Sequence, residues 1–418
     1  DDSGLYRAEL DYPPCFILVA ATASGAKGSR RRSIVSMNHT SFLIIGAGPY
    51  SIAAAAYAKY LGVDVIIVGK PLDFWKTNMP RGMFLRSGSD WQLDAREVAT
   101  FEAYVKQRGV TTDQIKPVPL DTFLDYASWF MGQYAVKSHP SLVTHLASSN
   151  GAYTATLDDG SQIVANHVLL GLGFAFFKHY PPELVEKLPP GSYTHTCDTV
   201  DFEFYRGKRV LIVGGRQSAF EWAALMNEKG AEQIHITYRH ATPKFTEPDW
   251  SWVQPLARRA LDDHGWWRKL TDEEQEKIRH DFWAAGRLIL EAWLDARAHQ
   301  PNIYIHEKTV IVAVNARSDL TFDVLLDDDS TCNVHHIILA TGYHPNMHNV
   351  AFLDRVTILN PLETVEGYPV LDTEFQSNLP NLYVTGLAAT RDFGPFFGFT
   401  VACPVAAKII GEQVASHQ

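Results

Sequence analysis

The chain has 418 residues, 46% of them hydrophobic and 20% charged, with a formal net charge of −10. That size and balance predict two to three domains with a sizeable core, and the acidic balance excludes a nucleic-acid binder that works through a basic face. No apolar run reaches the ~18 residues that would span a bilayer. The four cysteines, Cys15, Cys197, Cys332 and Cys403, show neither Cys-x-x-Cys nor metal-ligand spacing, so a cytoplasmic location and no metal are expected.

Residues 1–36 carry Pro13-Pro14, a Gly/Ser/Ala stretch and Arg30-Arg31-Arg32. Positive charge follows the apolar stretch instead of preceding it, unlike a secretory signal, and Asp1, Asp2, Glu9 and Asp11 argue against an organellar address. The segment is read as a flexible extension ahead of Met37. Next, Phe42-Leu43-Ile44-Ile45 predicts a buried strand. It runs straight into Gly46-Ala47-Gly48-Pro49-Tyr50-Ser51 and then an alanine-rich helix over 52–60. Strand, glycine turn and helix in that order open a dinucleotide-binding βαβ unit. Gly46 lets the chain turn, Gly48 lets the backbone approach a pyrophosphate, and the helix offers N–H groups and its positive end. Ser51 fills the small-residue position that closes the motif. The following strand, 63–68, ends in Gly69-Lys70, where such units carry an acid for the ribose hydroxyls.

The stretch from Phe74-Trp75 through Arg86-Ser87 to Trp91-Gln92 is aromatic and irregular. It is either a packed surface loop or a loop covering a flat cofactor ring. Asp121 is the expected N-cap of a helix whose aromatics, Phe123, Tyr126 and Trp129, recur at helical spacing and read as core.

The pattern then repeats. Lys208-Arg209-Val210-Leu211-Ile212-Val213-Gly214-Gly215-Arg216-Gln217-Ser218 is again strand, glycine turn and helix, with Gly214 lying 168 positions after Gly46. Leu157-Asp158-Asp159-Gly160-Ser161, leading to Gly173, is matched by Leu326-Asp327-Asp328-Asp329-Ser330, leading to Gly342, at an offset of 169. A shared period at both ends predicts two related dinucleotide-binding units in one chain. In the second unit Arg216 stands where a Cβ would crowd the pyrophosphate. Either the dinucleotide sits higher with the guanidinium on phosphate, or the site is impaired. The next strand, 233–238, ends in Arg239 rather than an acid. An arginine there accommodates the 2′-phosphate of NADP, which makes NADPH the expected dinucleotide; a merely solvated strand end is the alternative.

From 243 onward the chain is rich in tryptophan, with Trp250, Trp252, Trp266, Trp267, Trp283 and Trp293, and is too long for a simple crossover. It reads as an inserted helical segment whose tryptophans form core or a lid. A last strand ends at Thr385-Gly386, and Phe393-Gly394-Pro395 leads into a final helix over 401–415. That approach either closes over a flavin ring or is an ordinary aromatic turn. The expected fold class is α/β: two Rossmann-like dinucleotide-binding domains of the three-layer FAD/NAD(P)-binding type, with an inserted helical segment at about 245–300.

Over about residues 40–415 the chain resembles the two-dinucleotide-domain (class B type) flavin monooxygenases, a group including N-hydroxylating amine monooxygenases, flavin-containing monooxygenases and Baeyer–Villiger enzymes. The resemblance rests on Gly46-Ala47-Gly48-Pro49, on Gly207 through Gly215, and on Ile338-Leu339-Ala340-Thr341-Gly342-Tyr343, which is similar to an Ala-Thr-Gly-Tyr signature of the N-hydroxylating branch. Phe123, Tyr126 and Trp129, and the pair His195-Thr196, are similar to features of the same group. The resemblance implies FAD in the first unit and NADPH in the second, with oxygenation of a small molecule by O2 through a C4a-peroxyflavin, at nitrogen or a ring carbon. The FAD-binding domain would comprise 37–205 and 335–418, and the NADPH-binding domain 206–334. Gly46, Gly48, Pro49, Tyr50 and Ser51 would hold FAD, with Trp75, Arg86, Ser87, Thr341, Gly342, Phe393, Gly394 and Pro395 around it. Trp91 and Gln92 would border the reacting ring as catalytic residues. Gly214, Gly215, Arg216, Gln217, Ser218 and Arg239 would hold NADPH. Gly173 is followed by Phe177 at the spacing where Baeyer–Villiger enzymes carry histidine, and by His179 two residues late, which disfavours that branch. No redox cysteine pair is present, which disfavours a disulfide reductase. The alternatives are an FAD-dependent dehydrogenase or reductase with an acceptor other than O2, and a flavin-binding protein without catalysis. No nucleic-acid or membrane partner is expected, and a homo-oligomer is allowed.

Overall fold

The computed structural model describes residues 37–88 and 90–417. The expected extension over 1–36, with Cys15, lies outside the described residues. In chain order the elements that matter are β1 (Met37–Ile45), α1 (Pro49–Tyr60), β2 (Val65–Val68), α2 (Leu120–Gln133), β3 (Ser138–His139), β4 (Val143–Ser149), β5 (Ala152–Leu157) and β6 (Gln162–Leu170). There follow β7 (Tyr193–His195), β8 (Arg209–Val213), α3 (Gln217–Glu228), β9 (Gln233–Tyr238), α4 (Val253–Asp262) and α5 (Asp272–Arg287). The chain closes with β10 (Ile303–Glu307), β11 (Ile311–Ala316), β12 (Phe322–Leu326), β13 (Thr331–Val334), β14 (His336–Leu339), β15 (Leu382–Val384) and α6 (Cys403–Ala415).

The first sheet runs β3-β2-β1-β6-β5-β4, with β15 also paired to β6. Its centre is parallel, Phe42 opposite Val65 on one side and His167 on the other. Buried on both faces, β1 needs apolar residues at successive positions, and Phe42, Leu43 and Ile44 are fully buried. The second sheet is parallel throughout, in the order β10-β9-β8-β14-β7. Parallel strands joined by helices make this an α/β fold with two Rossmann-like units.

The repeat extends below the level of strands. In the first unit Leu157 N–H donates to the Ser161 carbonyl, and in the second Leu326 N–H donates to that of Ser330. Asp158 Oδ1 accepts from Leu142 N–H at 3.1 Å, and Asp327 Oδ1 from Val310 N–H at 2.8 Å. The two meanders therefore share turn chemistry as well as length. One difference is that β6 is continuous, whereas its counterpart is divided into β13 and β14 and the antiparallel set β11-β12-β13 forms its own small sheet.

Helix α2 starts at Leu120 with Pro119 at the N-cap, so Asp121 sits inside the first turn instead of capping it. Proline suits that boundary because it lacks an N–H, while Asp121 still opposes the positive helix end. The helix's aromatics are core as expected: Phe123 and Tyr126 are buried, and Trp129 packs partly buried against the same core. The inserted segment forms α4 and α5 at its centre. Its Val253, Ala257, Trp266, Trp267 and Phe282 join the core of the first sheet, with α6 and Phe396, rather than that of the second.

Candidate functional site

At the first turn Gly46 has φ +100°, and a methyl group there would stand 2.3 Å from the Gly171 carbonyl oxygen. Glycine is enforced twice, by conformation and by the end of β6 packed against it. Gly48, the N-cap of α1, is the opposite case: a methyl group there meets nothing within 4 Å, and no side chain caps the helix. The first N–H groups of α1 are thus left for an anion. Ser51 and Thr385, both buried, have hydroxyls without a hydrogen-bond partner. Each such group costs about 1–3 kcal/mol, so two of them, in the first turn and at the end of β15, fit a polar ligand held there. The missing ribose acid has a steric cause. Gly69 has φ +132°, and a side chain there would press on the turn, 3.2 Å from the Ala47 nitrogen.

The second turn repeats the first at Gly214, where φ is +143° and a methyl group would stand 2.6 Å from the Ala340 carbonyl oxygen. Arg216 is the N-cap of α3, again with no side-chain cap. Its guanidinium reaches α5, where it donates to the Arg287 carbonyl and lies 5.1 Å over the Trp283 ring. Gln217 is buried, and its Oε1 accepts from Glu291 N–H at 3.1 Å while its Nε2 has no partner. Ser218 and Arg239 are exposed, Arg239 at the end of β9 as expected. Thr341 and Gly342 follow Ala340, which flanks Gly214. Thr341 donates to the His179 carbonyl at 2.5 Å, and the Gly342 carbonyl accepts from His195 Nε2 at 3.0 Å. The buried His195 therefore carries its proton on Nε2, leaving Nδ1 to accept, 3.2 Å from Cys197 Sγ. Burial pulls its pKa below the ordinary value, which keeps it neutral.

The loop between β2 and α2 is more tied than the sequence suggests. Arg86 donates to the carbonyls of Gly286 (2.6 Å) and Ile289 (3.1 Å) at the C-terminal end of α5, and pairs with Glu291 at 2.9 Å. Ser87 Oγ lies 3.4 Å from Thr400 Oγ1. The Trp75 ring packs 4.7 Å from Phe123, and the buried Trp91 lies 5.8 Å from Trp250, edge to face. The indole N–H groups of Trp91, Trp250 and Trp266 are buried without acceptors. Gln92 folds its amide back on Asp94: Nε2 donates to the Asp94 carbonyl at 3.0 Å, and Oε1 accepts from Asp94 N–H. Asp94, unremarked in the sequence, anchors the loop. Its carboxylate accepts from the N–H groups of Arg96, Val98 and Ala99 and from the Tyr134 hydroxyl. Tyr126 completes the hold, accepting from Leu93 N–H at 3.0 Å and donating to the Ala99 carbonyl at 3.1 Å.

On the C-terminal side, the Tyr50 hydroxyl lies 2.6 Å from the Phe397 carbonyl and 2.8 Å from that of Phe399, one proton serving both. Phe393 stacks on Phe375 at 3.6 Å, Gly394 takes φ +100°, and Pro395 opens a short 3₁₀ turn. Phe393 is therefore core. A cleft of about 220 Å3 opens beside Gln92, lined by Arg96, Gln254, Arg258, Val401 and Lys408 among others. A second buried acid went unread in the sequence. Glu221 on α3 accepts from Phe84 N–H at 2.9 Å, and burial pushes its carboxyl up to about 7.

Residues 43–283 match the family described as pyridine nucleotide-disulphide oxidoreductases. The chain belongs to that family. It is an oxidoreductase with two dinucleotide-binding units. Among curated proteins it is similar to an FAD-dependent urate hydroxylase of Xanthomonas campestris, 27% identical over 31% of this chain and 28% of that protein. It is also similar to a ferredoxin–NADP reductase of Nocardioides sp., 29% identical over 47% of this chain and 54% of that protein. The chain thus spans between about a quarter and half of these relatives. Among solved structures it shares its fold with an ornithine hydroxylase from Pseudomonas aeruginosa, with TM-score 0.73 and 16% identity, covering 91% of this chain and 99% of that one. An ornithine N-hydroxylase of Kutzneria sp. 744, solved with reduced FAD, NADP+ and L-ornithine, gives TM-score 0.72 at 13% identity and covers 91% and 99%. Among the described residues no helix is long and apolar enough to cross a membrane.

Proposed function

We propose that this oxidoreductase is an FAD- and NADPH-dependent monooxygenase that hydroxylates a small molecule with O2, at nitrogen or a ring carbon. The observation that carries the reading is the pair of turns. The first has open space at Gly48 and an unpartnered Ser51 hydroxyl; the second has an arginine in the middle position and Arg239 free at the strand end. Two different dinucleotides in one chain imply hydride passing from one to the other. The solved N-hydroxylases that share the fold, and the curated urate hydroxylase, support oxygen as the acceptor. The curated ferredoxin–NADP reductase supports the second reading, a reductase with another acceptor.

FAD, when bound, takes hydride from NADPH and activates oxygen for transfer to the substrate. The chain's own contribution is binding, orientation and exclusion of water. Gly46, Gly48 and the α1 N-terminus would hold the pyrophosphate, Ser51 and Thr385 would offer hydroxyls, and Trp91, Trp250, Phe282 and Phe399 pack in succession as an aromatic wall. Gln92 lines the head of the cleft with its amide held on the Asp94 backbone, so it shapes that end and would meet a substrate only by releasing Asp94. Arg96, Arg258 and Lys408 outnumber Glu97 there, which favours a substrate bearing an anionic group. The domain limits given above are part of this proposal. Thiol–disulfide chemistry is not: the three described cysteines are free and buried, and burial raises Cys197 and Cys332 to about 11, far from a reactive thiolate. The reading is tested by a substrate screen coupled to NADPH consumption, with product mass. NADPH use with no oxygenated product from any substrate would favour the reductase.

A further inference from the structure

The C-terminal end of α5 gathers arginines from three parts of the chain. Arg86 comes from a loop within the first unit, Arg216 from the second glycine turn, and Arg287 is the helix's own last residue. Arg86 is neutralised by Glu291 at 2.9 Å. Arg216 is partly offset by the helix-end carbonyl to which it donates. Arg287 is exposed, and neither it nor Arg216 has an ion-pair partner among the described residues. The two cations are close enough that the Arg287 charge, after burial, helps to depress the Arg216 pKa. Arg216 is also the N-cap of α3, so the positive end of that helix adds to the same field. Two guanidiniums and an uncapped helix N-terminus, with no carboxylate paired to either, describe a site short of an anion, and the planar fork of arginine matches phosphate oxygens.

We propose that Arg287, carried by the inserted helix, is a phosphate ligand of the pyridine dinucleotide bound at the second turn, acting together with Arg216. Arg216 exchanges the Arg287 carbonyl for the nucleotide, and α5 is drawn onto it. Because Phe282 of α5 packs 5.1 Å from Phe399, edge to face, dinucleotide binding is thereby linked to the aromatic wall of the first unit. This rests on the reading that the second unit binds NADPH.

The test is calorimetric titration of the FAD-loaded full chain with NADP+ and with NAD+, for wild type, Arg287→Gln and Arg287→Lys, with far-UV circular dichroism as the folding control. Arg287→Gln is expected to weaken NADP+ by about tenfold or more, the size of a charge-assisted hydrogen bond, with Arg287→Lys recovering part of the loss. An equal loss for both nucleotides assigns the diphosphate, and a loss confined to NADP+ assigns the 2′-phosphate. NADP+ titration is also expected to change tryptophan emission in wild type, and the change is expected to shrink in Trp283→Phe. If Arg287→Gln binds both nucleotides within twofold of wild type, the assignment is wrong while the second-unit reading stands. If wild type itself binds neither nucleotide, both fall.

Discussion

The two dinucleotide units differ less in scaffold than in what they leave open. Both fix their first glycine by the same device, a strand-end carbonyl 2.3 Å (Gly171) or 2.6 Å (Ala340) from where a Cβ would be. Both start their helix without a side-chain cap. They part at the middle position. Gly48 keeps empty space over the turn, whereas Arg216 fills it and ties the turn to α5, more than 70 positions further on. The first unit leaves open space at its turn, which in the proposed reading admits a pyrophosphate. The second carries instead a cation tied to the inserted segment.

Substitutions at the shared glycines break the scaffold and have the largest expected effect. Gly46→Ala meets both a left-handed backbone and the Gly171 carbonyl, so a loss of about 3 kcal/mol is expected, read as a fall in Tm with loss of bound flavin. Gly214→Ala should cost a similar amount; a much smaller cost would show the second turn to be a looser copy. Glu221 comes next. Its folded pKa, about 7, lies above the ordinary carboxyl value of 4.5, so the folded state holds the proton more tightly than the unfolded one. Stability then falls as pH rises from 4.5 through 7, by about 3 kcal/mol in total. Glu221→Gln keeps an acceptor for Phe84 N–H and should raise Tm at pH 8 while leaving it nearly unchanged at pH 4.5.

Gly48→Ala separates the units most cleanly. Its methyl group meets no protein atom, so Tm of the flavin-free protein should stay within about 2 °C while flavin affinity falls about tenfold. Unchanged affinity would mean that the pyrophosphate does not lie over Gly48. The smallest effect expected is at Arg239. Arg239→Ala should reduce the preference for NADPH over NADH by about tenfold, measured as the ratio of kcat/KM values, with no change in Tm.

Much of this was legible in the sequence because both repeats keep one period. The glycine turns, the Leu157 and Leu326 turns and the aromatic face of α2 all sit where spacing puts them. What was not legible depends on contacts distant in sequence. Arg86 reads as a loop cation near a flavin, yet its partners Gly286, Ile289 and Glu291 lie about 200 positions away. The inserted segment interrupts the second unit in sequence but buries Val253, Trp266 and Phe282 in the core of the first, since apolar faces pack where space exists, not where the chain enters. Gly69 looks like a lost acid until its backbone, at φ +132°, and its Cβ position, 3.2 Å from the turn, show that a side chain there is strained. Asp94 carried one signal, an Asp followed within five positions by three residues whose N–H groups it collects, Arg96, Val98 and Ala99, and Glu221 carried none beyond an acid on an apolar helix.

In the proposed reaction, reducing equivalents entering at the second unit leave the first as oxygen transferred to a substrate. The most direct measurement is product mass under 18O2 with NADPH and the FAD-loaded enzyme, alongside the consumption of NADPH and O2. One 18O atom in the product is expected for each NADPH oxidised. Product without 18O, or NADPH oxidation that continues at full rate with a non-oxygen acceptor under anaerobic conditions while no substrate yields oxygenated product in air, would contradict it.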